Sequence, residues 1–285
     1  MKVRKKIAFF AFLIFIFPST LKTNEKKEID MVYGEKLCAN YLEYECYTVG
    51  KKIIRVQTNQ GMREQLVTEK WADLFPNPEK RDFIQRINRQ NTELEFGQKI
   101  AIPRQIEGKS YLDFSPFPHS VCFYDLENGV CFLAKDYADN ERSEKNLNWQ
   151  MPCVEGKTIV FDPRLLAFAA YNQTGQLVYW GPAVGGRKIC SDIKKPCQTP
   201  QGQFKIVYKT GAHYRSRSYP VGCHGKECAA MPYALFFEDG AAFHASNGLP
   251  GKNASHGCVR LFEKDAQWLN QEFAEIGTKV IINPY

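Results

Sequence analysis

The chain lacks a long apolar run near its start: Ile7 to Phe17 gives eleven consecutive apolar residues, where a membrane-spanning helix needs about 20. No Leu-x-x-Cys lipidation pattern lies near that run, and no long repeat or low-complexity tract is visible. Nor is there a basic stripe interleaved with aromatics, and the formal charge of +7 falls to +3 once residues 1–20, with their four basic side chains, are set aside. These absences argue against a membrane span, a lipid anchor and a nucleic-acid-binding surface.

What is present at the N-terminus has another meaning. Lys2, Arg4, Lys5 and Lys6 precede the apolar run, and Pro18-Ser19-Thr20 ends it. A charged segment followed by a short apolar one predicts a secretory signal peptide over residues 1–20, with an uncleaved anchor as the alternative. The expected location is the periplasm or cell envelope, with no stable membrane span after signal removal. The 285 residues are 44% hydrophobic and 13% aromatic, enough for one large folded domain or two modest ones.

Ten cysteines in an exported chain predict disulfides. Cys38 and Cys46, Cys190 and Cys197, and Cys223 and Cys228 are each close enough in sequence to close a small loop. Asn128-Gly129 predicts a two-residue hairpin turn, which would set Cys131 opposite Leu126 and Cys122 opposite Lys135. A Cys122–Cys131 bond then requires a different register, and Cys153 is an alternative partner for either. If Cys258 stays free, one of the other nine must be unpaired. The Cys223-His224-x-x-x-Cys228 spacing is not a usual zinc pattern.

Residues 21–43 are polar and predict a flexible lead-in. Residues 44–105 read as a small α+β module. A strand-like run starts at Tyr47-Thr48-Val49 and extends to Val56. Gln65 to Phe75 is helix-compatible, with Leu66, Trp71, Leu74 and Phe75 on one face and Pro76 as the stop. Arg81 to Asn88 predicts a second helix, and Lys99 to Ile102 a strand ending at Pro103. Residues 106–155 are a connector with the hairpin, in which charged Asp136 to Lys145 predicts an exposed loop.

Residues 156–285 read as mainly β. Strands are predicted at Thr158–Phe161, Leu165–Tyr171, Leu177–Trp180, Gly202–Tyr208 and Lys279–Ile282, with a hairpin of Tyr233–Phe237 and Gly240–His244 around Asp239-Gly240. One helix, Glu263 to Ala274, carries Ala266, Leu269 and Phe273 on one face. Many short strands with regular turns predict a closed or sandwich β-fold with one covering helix.

Chemistry concentrates in Ser255-His256-Gly257-Cys258-Val259-Arg260, with His244 fourteen residues before the cysteine. An ordinary thiol is mostly protonated at neutral pH, so a nucleophilic cysteine needs a neighbouring base or cation. His244 is predicted to end a strand beside the one that starts at Cys258. Arg260, two residues beyond Cys258 on an extended segment, faces the same side and suits a substrate carboxylate. Gly257 permits close backbone approach, so that N–H groups of His256, Gly257 and Cys258 can converge on a carbonyl oxygen. The alternatives are a structural disulfide for Cys258 and a satisfied strand-end histidine for His244.

Two resemblances bear on these residues. The tail Asn88-x-x-Asn91-x-x-Leu94-x-x-Gly97-Gln98-x-Ile100-x-Ile102-Pro103 and the order of elements before it resemble a LysM module, a strand-helix-helix-strand fold that binds peptidoglycan glycan and chitin. Gly50-Lys51-Lys52 stands where that family usually has Gly-Asp. Ala242-Phe243-His244-Ala245-Ser246, Pro250-Gly251 and Ala254-Ser255-His256-Gly257-Cys258-Val259-Arg260-Leu261 resemble the signature of the L,D-transpeptidase catalytic domain, the YkuD-type family. Thr199-Pro200-Gln201-Gly202-Gln203-Phe204, Met231 to Phe237 and Gly277-Thr278-Lys279-Val280 agree with it.

This second resemblance implies a β-sandwich without metal or other cofactor, acting on peptidoglycan stem peptides. It makes Cys258 the nucleophile, which releases D-Ala and passes the acyl group to an amine in a 3→3 cross-link. His244 would be the general base and acid, the backbone carbonyl of Ala245 its orienter, and the Gly257 and Cys258 amides the oxyanion donors. Tyr233, Ser255, His256 and Arg260 would contact substrate, and carbapenems would acylate the thiol. Water or a protein lysine as acceptor, and a non-catalytic wall-binding protein, are the competing readings. A monomer is expected.

Overall fold

The computed structural model describes residues 31–125, 130–132, 154, 156–217 and 219–285. The expected signal peptide, the Asp136–Lys145 loop and Cys153 lie outside the described residues. The polar lead-in is not all irregular: Tyr33–Asn40 forms helix α1, with Gly34 and Leu37 buried. A helix this short is marginal alone; the Cys38–Cys46 disulfide and the burial of Leu37 beside Ile87 and Ala101 hold it. Such tertiary support leaves no periodic signal in the sequence.

Strand β1 (Tyr44–Thr48) is followed by a hairpin of β2 (Lys51–Thr58) and β3 (Gly61–Thr68), then helices α2 (Trp71–Leu74) and α3 (Pro78–Ile87) and strand β4 (Lys99–Pro103). β1 and β4 pair antiparallel, so the expected strand-helix-helix-strand order is present with the β2–β3 hairpin inserted into it. The insertion begins at Gly50, whose N–H donates to Glu69 Oε2 (2.7 Å) while Glu69 N–H donates to Gly50 O (3.2 Å). The helix expected over Gln65–Phe75 is thereby corrected: Gln65 to Thr68 pair with Ile54 to Lys51, and only Trp71–Leu74 is helical. Leu66 stands out at 59% exposure, whereas Trp71 and Phe75 enter the small core with Val49, Ile84, Leu94 and Ile100. The ladder outweighs a helical spacing that four residues, Leu66, Trp71, Leu74 and Phe75, create by themselves. α3 starts where its chemistry predicts, with Pro78 in the first turn and Asn77 Oδ1 accepting Lys80 N–H at 2.9 Å.

In the connector, Tyr111 stacks on Trp180 at 4.5 Å. Strands β5 (Phe123–Asp125) and β6 (Val130–Phe132) pair Asp125 with Val130 and Tyr124 with Cys131. Cys131 is therefore paired in register with Tyr124 and not with Leu126; Asn128-Gly129, the expected turn, lies outside the described residues.

The remainder is a nine-stranded curled sheet. Its strands are β7 (Thr158–Asp162), β8 (Ala167–Tyr171), β9 (Leu177–Val184), β12 (Gly202–Lys205), β13 (Tyr208–Lys209), β14 (Leu235–Glu238), β15 (Ala241–Ala245), β16 (Val259–Leu261) and β17 (Lys279–Ile282); β10 (Ile189–Cys190) and β11 (Lys195–Pro196) form a separate pair. The order is β12-β17-β7-β8-β9-β16-β15-β14-β13. β7 and β8 are buried on both faces. One face meets the domain interior through Ile159, Phe161 and Phe168, and the other meets connector residues Phe117 and Val121 through Val160, Ala169 and Tyr171.

The single strand expected over Gly202–Tyr208 is split. β12 and β13 follow one another in the chain yet stand at opposite ends of the sheet order. Ile206 N–H donates to Thr278 O beside β17, and Val207 N–H donates to Phe236 O on β14. The chain thus steps from one end of the curled sheet to the other, and period two is lost at the step, with Ile206 buried and Val207 exposed. Helix α4 (Glu263–Trp268) continues as a π-helical turn through Leu269–Phe273. Ala266, Leu269 and Phe273 pack on the inner face as the spacing predicts.

Candidate active site

β15 and β16 run parallel, with Phe243 opposite Val259 and His244 opposite Arg260. Successive side chains of a strand alternate between faces. Phe243, Ala245, Val259 and Leu261 take the core face, which leaves Ala242, His244 and Arg260 on the other. Cys258 joins this second face, packed with Met231, Ala234, Ala242, Tyr214 and Phe236. The structure therefore brings His244, Cys258 and Arg260 to one side of a two-strand parallel unit, as their parity predicts.

His244 is buried, and its Nδ1 lies 2.8 Å from Ala245 O. A carbonyl oxygen can only accept, so Nδ1 carries the proton and the neutral ring keeps its lone pair on Nε2. Burial lowers the His244 pKa to about 4, against the raising effect of the Ala245 carbonyl, and the Arg260 cation lowers it further. Burial also pushes the Cys258 thiol up, while a backbone hydrogen bond from Ala242 and the Arg260 guanidinium pull it back. At neutral pH the resting pair is an uncharged thiol and an uncharged imidazole. In this geometry the thiol donates to Gly240 O at 3.5 Å.

Arg260 is held by one bond, Nη1–H to Gly248 O at 3.2 Å. Burial, and then the neighbouring Arg187 guanidinium, push its pKa down. No ion pair to Arg260 or Arg187 occurs among the described residues. Arg187 donates to Ala254 O at 2.6 Å. Arg260 beside the thiol, with Arg187 next to Arg260, suits an anionic substrate group.

The other expected site residues have different surroundings. Ser255 is 1% exposed. Its hydroxyl donates to Cys258 O and accepts the Gly257 N–H (3.2 Å). Ser255 therefore braces the turn, and the Gly257 N–H has the Ser255 hydroxyl as its partner. Gly257 has φ of +119°, a conformation that strains any residue with a side chain. Tyr233 packs on the core cluster, as Phe204, Tyr179 and Trp268 do, whereas Cys258 belongs to the cluster of Met231 and Tyr214.

His256 faces neither Cys258 nor His244 in any hydrogen bond. Its Nε2 lies 2.8 Å from Asp192 Oδ2 and 3.1 Å from Tyr219 OH, with the Tyr219 ring 4.4 Å away. Asp192 belongs to the loop closed by Cys190–Cys197, and Tyr219 precedes the loop closed by Cys223–Cys228. His256 thus joins both disulfide-bearing segments close in sequence to Cys258. Cys190, Asp192 and His256 have donor atoms within 4.8 Å of one another, but Cys190 is spent in a disulfide and offers no thiolate. Asp192, Tyr219 and Arg187 have no sequence signal beyond their nearness to cysteine loops. Cys258 and Cys122 are the free cysteines among the described residues, so the disulfide alternative for Cys258 is not realised.

Residues 156–282 match the family model of the L,D-transpeptidase catalytic domain. No curated protein gives a match. Among solved structures, an L,D-transpeptidase from Xylanimonas cellulosilytica is 25% identical over 47% of this chain and 63% of its own, at a TM-score of 0.40. One from Stackebrandtia nassauensis is 22% identical over 50% and 62%, at 0.39. L,D-transpeptidase 3 from Mycobacterium tuberculosis, in complex with a faropenem-derived adduct, is 21% identical over 45% and 60%, at 0.37. The chain spans less than two thirds of each of these structures. With its mainly β architecture, the region from residue 156 to residue 282 is similar to the L,D-transpeptidase catalytic domain, whose family model it matches.

Proposed function

We propose that the protein is a cysteine L,D-transpeptidase of the cell envelope that acts on peptidoglycan stem peptides. The observation that carries this reading is the His244 tautomer: with Nδ1–H given to Ala245 O, Nε2 is free to take the Cys258 proton. Because the pair is uncharged at rest, proton transfer accompanies attack instead of preceding it.

Cys258 Sγ bonds to the carbonyl carbon between the third residue and D-Ala at position four, while His244 Nε2 takes the thiol proton. Collapse breaks the C–N bond, and His244 returns that proton to the departing D-Ala amine, leaving a thioester. A side-chain amine of a second stem then attacks the thioester and loses a proton to His244. Its amide forms, the C–S bond breaks and the proton returns to sulfur. Arg260 and Arg187 suit the carboxylate of the diamino acid. The same proposal includes a signal peptide over residues 1–20, the residue 44–105 module acting on wall glycan, and a monomeric periplasmic enzyme. Three disulfides support export.

Incubation with a disaccharide-tetrapeptide, followed by mass spectrometry, tests the reaction. D-Ala release with dimer formation is expected. Release without a dimer would move the acceptor to water, and a Cys258→Ala variant that still released D-Ala would overturn the proposal. A carbapenem adduct on Cys258, absent in Cys258→Ala, is the matching covalent readout.

A further inference from the structure

The segment between His244 and Cys258 does not stand alone. Asn91, from the N-terminal module, donates from Nδ2 to Ser246 O at 2.9 Å and accepts Leu249 N–H on Oδ1 at 2.9 Å. Its own N–H donates to Leu249 O at 3.0 Å. Gln90 bridges Pro250, and Tyr33 N–H donates to Gly251 O at 2.8 Å. Gly251 has φ of +70°, and a Cβ there would lie 3.3 Å from Asn88 O and 3.4 Å from Tyr33 N, so the loop and the module approach at backbone distance. A buried ion pair, Arg86 Nη1 to Asp265 Oδ1 at 2.6 Å, fixes the same two parts elsewhere.

The loop in turn holds the cation of the site. Gly248, between the two residues that Asn91 bonds, provides the carbonyl that accepts from Arg260. The chain of bonds runs from Asn91 to Ser246 and Leu249, through Gly248 O to Arg260, and Arg260 stands two residues from Cys258 opposite His244. We propose that Asn91 is a positioning residue for the Cys258 site: it fixes the 246–251 loop whose Gly248 carbonyl holds the Arg260 guanidinium beside the nucleophile. The N-terminal module is thereby a working part of the site. This continues the reading of Cys258 as nucleophile, but its test requires no substrate turnover.

The titratable groups around the thiol are Arg260 and His244 on β15 opposite it; Arg187 and Tyr219 act on Arg260. Arg260 favours the thiolate, so a displaced Arg260 makes Cys258 less reactive at a given pH. The test is the rate of Cys258 alkylation by iodoacetamide across pH in the full chain, read by mass spectrometry, with Cys122 as the internal control. Because alkylation follows the thiolate fraction, Asn91→Ala is expected to slow Cys258 about threefold at pH 7. Its profile should move to higher pH with Cys122 unchanged. In an Arg260→Ala background, Asn91→Ala should add nothing further.

A profile that superimposes on the wild type, or an equal slowing with and without Arg260, overturns the proposal. If Asn91→Ala does not fold, Asn91→Asp decides. It keeps the acceptor for Leu249 N–H and loses the donor to Ser246 O, so a smaller shift in the same direction is expected and a wild-type profile overturns the proposal. Loss of D-Ala release with an intact alkylation shift would count against the proposed function and not against this inference.

Discussion

Two segments flank Cys258, and each is held by a different kind of bond. Residues 246–251 carry no cysteine and are fixed by hydrogen bonds to Asn91, Gln90 and Tyr33 of the N-terminal module. The segments around Asp192 and Tyr219 are closed by their own disulfides and meet on His256. The first depends on a distant part of the chain folding and docking; the second is closed locally by covalent bonds. The first touches the cation Arg260, and the second touches His256. Docking should therefore govern thiol reactivity, and oxidation should govern the rigidity of the surroundings.

The harshest way to break the comparison is to undo the docking. Arg86→Met leaves Asp265, which is fully buried, without its ionic partner. A cost of about 3–5 kcal/mol is expected, because removing one partner strands the other charge. Denaturant unfolding reads it, and an effect below that of an ordinary surface substitution would show that the ion pair does not secure the module.

Next in size is a pH effect centred between the two segments, at His244. Its folded pKa of about 4 lies below the ordinary 6.5, so the unfolded chain binds the extra proton between those values. Stability from this group is complete above about pH 6.5 and falls as pH drops toward 4, by about 3 kcal/mol at most. Unfolding at pH 7 and pH 4.5 should show a smaller difference in His244→Gln than in the wild type.

The smallest effect is expected from opening a disulfide loop. Replacing Cys223 and Cys228 together with serine removes a short closure worth about 2 kcal/mol. The pH profile of Cys258 alkylation should stay in place, because Arg260 is anchored on Gly248 O. A shift as large as that expected for Asn91→Ala would erase the distinction between the segments.

The sequence made the central pair legible because strand parity needs no tertiary information. His244 and Arg260 fall opposite each other on β15 and β16, on the side away from Phe243 and Val259. Parity said nothing of Tyr233, a site candidate from the resemblance alone, which has a left-handed φ of 57° and packs on the core cluster. Nor did it bear on Ser255, another candidate from the resemblance, whose hydroxyl is buried inside the turn. The inserted β2–β3 hairpin was hidden because Gln65–Phe75 carries a helical spacing while its first four residues pair in a ladder. The docking of Asn91 was invisible for a different reason: an asparagine that bonds a loop 158 residues away leaves no mark on its neighbours. The three short disulfide loops were read from spacing alone, and the partners that His256 finds beside two of them were not.

The step at Ile206-Val207 has a consequence for how copies of the chain meet. The strands that terminate the large sheet, β12 and β13, are four and two residues long and are joined directly across that step. Edge strands this short present little free backbone to a strand from another molecule. Among the described residues the β2–β3 ribbon pairs only with itself, but it carries Lys51, Lys52, Arg55, Arg63 and Glu64 along its length, and charge on an open edge disfavours strand addition. One part of the molecule resists edge-to-edge association by geometry and the other by charge.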